Sequence, residues 1–249
     1  MLKRFLFNYL LFKINFMKPY QILKFPILLL ASLLLFTSLR SQDKEEQEDK
    51  AHEKVEAAAK VLTDFKEMEE NIPEKLLEIT EGVIVIPKLI NAGFVVAGKR
   101  GKGIAVVKRE DGTWSNPVFI TLTGGSVGFQ AGVQSIDLVL VFKNRETLEK
   151  IGKGSFTLGG DISITAGPVG RSSSASTDYK LEAEVYSYSR SKGIFAGISL
   201  SGSALDVDSK LNTEFYGKEV DAKSVFTDSS ANSDASVKVL KETLANLTD

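Results

Sequence analysis

Gly82-Val83-Ile84-Val85-Ile86-Pro87 sets four β-branched residues between a glycine and a proline. The run is too short for a buried helix and too apolar for a loop, so it reads as a buried strand. All twenty glycines of the 249-residue chain lie between Gly82 and Gly217. That placement divides the chain into a helical entry over 42–81, a Gly-rich β body over 82–226, and a connection and final helix over 227–249.

Outward from the first strand, Gly93 to Gly98 and Gly103 to Lys108 read as two strands joined across Lys99-Arg100-Gly101-Lys102, a hairpin with a basic tip. Glu110-Asp111-Gly112 is a turn signal. Further strands are predicted over 118–122, 126–130, 136–142, 156–164, 180–189 and 194–201, with a helix inserted over 144–151. Many short strands with glycine punctuation predict an α+β domain. Its curved, mainly antiparallel sheet or partial barrel would span about 82–202, with N-terminal and C-terminal helices packed on it.

The flanks carry the helical signals. Val55, Ala58, Leu62, Phe65, Met68 and Ile72 recur at spacings of three or four, one apolar stripe on a helix over about 45–71. The other faces are Glu, Lys and Asp, an acidic rather than basic surface, which favours docking on the β body over lying on a membrane. Pro73 is placed to begin a short second helix over 74–80. Val237, Leu240, Leu244 and Leu247 form the closing stripe.

The first forty residues contain Lys3, Arg4, Lys13, Lys18, Lys24 and Arg40 and no acid. A positive start, the apolar run of residues 25–39 and the polar exit Ser41-Gln42-Asp43 predict a signal peptide over 1–41, with Met17 as an alternative start. An uncleaved membrane anchor is the alternative. Cleavage would leave 25 Lys+Arg against 32 Asp+Glu, a net charge of −7. Residues 42–81 alone carry −8, and residues 82–249 carry +1. That balance argues against nucleic-acid binding.

Reactive groups are scarce. There is no cysteine, which excludes thiol chemistry, disulfides and Cys-ligated zinc. The single histidine, His52, lies in the acidic entry and is expected to be solvated. Ser126 and Ser155 therefore lack a histidine partner, and Gly152-Lys153-Gly154 lacks the ending of a phosphate loop. Asp206 and Asp208 could approach a cation, but no further carboxylate spacing completes a site. No catalytic residue, metal site or cofactor is expected. The remaining candidates are basic: Lys99, Arg100 and Lys102 at the expected hairpin tip, with Arg171, Arg190 and Lys192 in two further turns. Converging, they would hold anionic headgroups, with Trp114 or Phe195 as the apolar contact; dispersed, they are solubilising turn charge.

Nine segments in order give the chain a resemblance to the SYLF-domain family over roughly residues 53–247. They are the entry helix with Ile72-Pro73, the run Gly82 to Pro87, Gly101-Lys102-Gly103, Trp114-Ser115-Asn116-Pro117, and the glycine-rich Gly124 to Gly132. Leu158-Gly159-Gly160-Asp161, Gly167 to Arg171, Tyr186 to Gly197 and Tyr216-Gly217 complete the set. The resemblance implies a phospholipid- or phosphoinositide-binding module, linked to actin in fungi and animals and exported as a single domain in bacteria. On this reading the chain is a non-catalytic, phospholipid-binding module of the periplasm or cell envelope. Its partner would be a phospholipid or membrane surface, with actin unlikely for an exported protein; the oligomeric state is left open. The other reading is a structural or protein-interaction domain with no lipid ligand.

Overall fold

The stripe on the entry helix is the face that is buried. The computed structural model describes residues 49–68, 72–93, 96–127, 132–151, 156–167, 181–195, 197–228 and 234–248. Helix α1 covers residues 49–67, and its Val55, Ala58, Leu62 and Phe65 are all but fully buried. Helix α2 (Glu74–Glu78) follows Pro73, which stands at its N-cap.

Nine strands then build one sheet: β1 (Gly82–Gly93), β2 (Val96–Val107), β3 (Val118–Val127), β4 (Gly132–Phe142), β5 (Phe156–Thr157), β6 (Ile164–Ala166), β7 (Val185–Ser191), β8 (Ile194–Phe195) and β9 (Ala204–Val207). Their order is β5-β9-β3-β2-β1-β4-β7-β6, with β8 hairpinned onto β7. Every pairing is antiparallel except β6 with β7. The chain is thus α+β, with a curled, mainly antiparallel sheet and helices contributed by both ends. Helices α3 (Arg145–Ile151), α4 (Ser209–Tyr216), α5 (Ala222–Thr227) and α6 (Ala235–Thr248) complete the described elements.

Both faces of the sheet are covered, by different layers. On one, Val83, Val85, Ile104, Val106, Phe119, Val139, Val141, Tyr186 and Tyr188 pack with α1, α2 and α6. On the other, Ile84, Ile86, Leu138, Leu140 and Phe142 pack with Leu148 of α3 and Val225 and Phe226 of α5. These are called the outer and inner faces. Alternate residues of β1 therefore enter separate cores, which is why its sequence is continuously apolar.

The hairpin is not where the sequence suggested. Gly93 pairs with Ala97, so the β1–β2 connection lies between Gly93 and Val96, and Lys99 to Lys102 sit inside β2. The glycines that imitate a turn serve close packing instead: a Cβ on Gly103 would stand 2.0 Å from the Val85 carbonyl oxygen. Opposite them β1 carries a bulge. Ile86 pairs with Leu138 but Leu89 with Ile136, one extra residue on β1. Pro87 lacks an N–H and Lys88 takes φ +54°, with its N–H donating to Asp137 Oδ1 at 3.0 Å. The bulge reverses the alternation: Leu89 turns to the inner core and is buried, while Ile90 turns to the outer face.

Other expectations shift as well. The strand expected over 156–164 is two short strands around a turn, and the one expected over 194–201 ends at Phe195. Helices α4 and α5 lie where only β body was expected. Asp208 caps α4 through the Leu211 N–H, and Gly217 ends it at φ +67°. Asn212 of α4 exchanges two hydrogen bonds with the Phe119 backbone, at 3.0 and 2.9 Å. His52 is partnered rather than solvated: Nδ1 lies 3.0 Å from Asp234 and the ring stacks on Phe215.

The open end of the sheet as candidate functional site

Beyond the bulge the sheet outruns its helical cover. Residues 132–135 of β4 are all exposed, as are Ile90 of β1 and Gly98 and Arg100 of β2. Strand register places the side chains. Ile90 stands opposite Arg100 on β2 and Ser135 on β4, and Ala92 stands opposite Val133. By the two-residue period, Arg100 and Lys102 share the outer face with Ile104, and Val133 and Ser135 share it with Val139. The open end of the outer face is thus apolar at Ile90 and Val133, 43% and 75% exposed, and cationic at Arg100.

Two ion-pair systems close its base. Arg190 donates to Asp137 Oδ2 at 2.9 and 3.2 Å, reaches Asp64 of α1, and lies 5.6 Å over the Phe65 ring. Burial pushes the Asp64 carboxyl up, but hydrogen bonds from Arg190 and Lys60 outweigh it and hold it below the usual carboxylate range. Lys102 pairs with Asp208 at 2.6 Å. Lys54 of α1 faces these strands. Burial and then the like charges of Lys102 and Lys88 hold its ammonium below the usual lysine range, with Glu53 opposing.

The residues singled out in the sequence divide. Arg100 and Lys102 reach the open end together, and Lys192 is exposed in the two-residue β7–β8 turn with Gly193, both at positive φ. Lys99 points to the inner face, is 5% exposed, and donates to the Ser199 carbonyl; burial pushes its ammonium down. Trp114 caps the outer core at 4% exposure. Arg190 is committed to Asp64 and Asp137. Phe195 belongs to β8, and Arg171 lies outside the described residues. Lys54, Lys88, Ile90 and Val133 were not legible as site residues, since the bulge that turns Ile90 outward leaves only Pro87 as a trace.

Among the described residues no group of His, Asp or Glu could hold a metal ion. Asp208, once paired with Asp206 as a possible cation site, caps α4 and binds Lys102. A cleft of about 470 Å³ is lined by Arg109, Glu110, Asp111, Arg145, Glu149, Phe226 and Thr227. Its cations are already engaged: Arg109 by the Phe226 and Asp228 carbonyls, Arg145 by Glu110 and Glu149. No helix among the described residues is long and apolar enough to cross a membrane.

A family model described as "Ysc84: Las17-binding protein actin regulator" matches residues 123–247. The chain belongs to this family, the SYLF-domain family. "LAS seventeen-binding protein 3" of Saccharomyces cerevisiae is 35% identical over 179 residues, 68% of this chain and 39% of that protein. "SH3 domain-containing YSC84-like protein 1" of Homo sapiens is 34% identical over 172 residues, 66% of this chain and 50% of that protein. The Ysc84-type chain described here therefore spans between two fifths and half of these relatives' length.

These names overturn the expected partner. A phospholipid or membrane surface was expected and actin was held unlikely, yet the yeast relative is named for a protein partner and the family is described as Las17-binding and actin-regulating. Actin was held unlikely because of the leader expected over residues 1–41, and nothing among the described residues bears on that leader. The family's description names binding and regulation.

Proposed function

We propose that this chain is a non-catalytic protein-binding module whose partner is Las17, a similar protein, or actin, in line with the description of its family as Las17-binding and actin-regulating. The observation that supports the reading is the match to a family described as Las17-binding and actin-regulating, together with a yeast relative named as a LAS seventeen-binding protein over 68% of the chain. A binding role also suits the sheet face that the described helices leave open at Ile90, Arg100 and Val133. The test is co-sedimentation of the purified full chain with actin filaments, beside capture on immobilised purified Las17. Binding to either is the expected result. Binding to neither, with retention on anionic lipid vesicles instead, would overturn the reading.

A separate proposal concerns residues 1–41. Their acid-free, apolar composition supports removal of a leader near Gln42. N-terminal sequencing from the producing cell should begin within a few residues of that position. A sequence that reads through Lys24 would sink this proposal without touching the first.

A further inference from the structure

We infer that the open end of the outer face, formed by Lys54, Lys88, Ile90, Arg100, Lys102 and Val133, is a docking surface for an acidic protein segment that carries a branched apolar side chain beside its carboxylates. The inference rests on the protein-binding reading and adds the surface and the chemistry of the partner.

The apolar half follows from register. Ile90 and Val133 are diagonal neighbours on two hydrogen-bonded strands and project to the same side. Both are exposed; Ile90 lies on a strand paired on both sides, while residues 132–136 of β4 pair with β1 and run past Asp137, the last β4 residue paired with β7. Ile194, though 72% exposed, is not part of this patch: it pairs with Ser191, whose neighbour Arg190 occupies the outer face. At Ile90 both neighbouring strands are paired, so a partner meets that residue across the face, where side chains decide what it is.

The cationic half follows from the charges that face the patch. Asp137 and Asp64 are taken by Arg190 and Lys60, and Asp208 by Lys102. Among the described residues, Asp206 on β9 and Glu53 on α1 are further acids toward this face. Against them stand Lys54, Lys88 and Arg100, none of which has a carboxylate partner among the described residues. Lys54 is half-buried between α1 and the strands, with Lys88 and Lys102 close enough to disfavour its charge. Three cations left over beside an apolar strip are completed by carboxylates placed next to an apolar side chain. A protein segment supplies both in one chain. A membrane is the less suited occupant, because α1 borders the patch and Trp114, the only tryptophan, is buried elsewhere.

The experiment is selection of random peptides displayed on phage against the purified full chain, followed by fluorescence titration of the enriched peptides. Enrichment of peptides pairing Asp or Glu with Ile, Leu or Val is expected. The double variant Lys88→Glu with Arg100→Glu should weaken them at least tenfold, Ile90→Asp similarly, and added salt should weaken the parent. Arg100→Gln, which only neutralises, should give a smaller loss in the same direction. Lys238→Glu, on the exposed face of α6, should change nothing. Acidic peptides that bind the double variant as well as the parent overturn this surface and leave the protein-binding reading intact. Failure to enrich acidic peptides overturns the inference. So does retention on anionic vesicles that is lost in the double variant while no peptide binds, and that result counts against the protein-binding reading too.

Discussion

The two halves of β1 share a strand and little else. From Val83 to Ile86 every side chain is buried, alternately in the outer and the inner core. Past Lys88, Ile90 is 43% exposed and residues 91–93 are half-exposed, although the hydrogen-bonded neighbours are the same two strands. Backbone pairing therefore does not distinguish base from open end; the helical cover and the bulge do. Helices α1 and α6 blanket the base, and the extra residue at the bulge turns Ile90, instead of Leu89, toward the uncovered side.

The strongest way to break this contrast is to disturb the packing that lets β2 cross the bulge. Gly103→Ala puts a methyl group 2.0 Å from the Val85 carbonyl oxygen and 2.8 Å from an Ile86 methylene, where backbone must move. A loss of about 3 kcal/mol or more is expected in denaturant unfolding, at the upper end of overpacking costs. Gly98→Ala, on the same strand in the open end with nothing within 4 Å, should cost well under about 1 kcal/mol. Equal losses would mean that the glycines serve flexibility and not close approach.

That pair of glycines also shows where sequence reading succeeds and where it stops. The stripes Val55-Ala58-Leu62-Phe65 and Val237-Leu240-Leu244 were legible because one helical face alone meets the core. The run 82–87 was legible because a strand covered on both sides has no polar positions. Lys99-Arg100-Gly101-Lys102 was misread as a turn because charge and glycine mark turns locally. Here the glycines answer to a bulge on another strand, information that no local window contains. Helix α4, Ser209–Tyr216, escaped because its apolar residues form only a short stripe. Its signals were its ends, Asp208 and Gly217. Of the candidate site, Arg100 and Lys102 were found by charge, whereas Lys88, Ile90 and Val133 depend on register.

The boundary between the two halves is an ionic clasp, and its removal should have the next largest effect. Arg190 is 13% exposed and ties β7 to Asp137, which seals the bulge, and to Asp64 on α1. Arg190→Leu leaves Asp137 without its cation and Asp64 with Lys60 alone, and should cost about 2 kcal/mol. The clasp also sets a pH dependence. Asp64 has its folded pKa held below the ordinary carboxylate value, so its stabilisation is present above that value, near pH 4, and is lost as pH falls through the lowered pKa. The parent should therefore lose stability progressively below about pH 4. Asp64→Asn should flatten part of that slope. A parent whose unfolding midpoint is unchanged between pH 5 and pH 3, conditions that straddle the ordinary carboxylate pKa, would show that the clasp contributes nothing.

The smallest effect is the most informative about the open end. Val133 and Val139 lie on one strand, point to one face and are the same residue, but Val139 is fully buried and Val133 is 75% exposed. Val139→Ala should cost about 2 kcal/mol, since it removes two methyl groups from the outer core and leaves a cavity. Val133→Ala should cost no more than about 0.5 kcal/mol, because its methyl groups already face solvent and only a modest strand preference is lost. Both values come from the same chevron or equilibrium denaturation series on the full chain. A cost at Val133 that approached the one at Val139 would mean that another part of the chain covers the open end in solution. A partner would then have to displace that cover before it could dock. A negligible cost at Val133 leaves Ile90 and Val133 standing in water, and an apolar pair held there on two hydrogen-bonded strands is free to be used in binding.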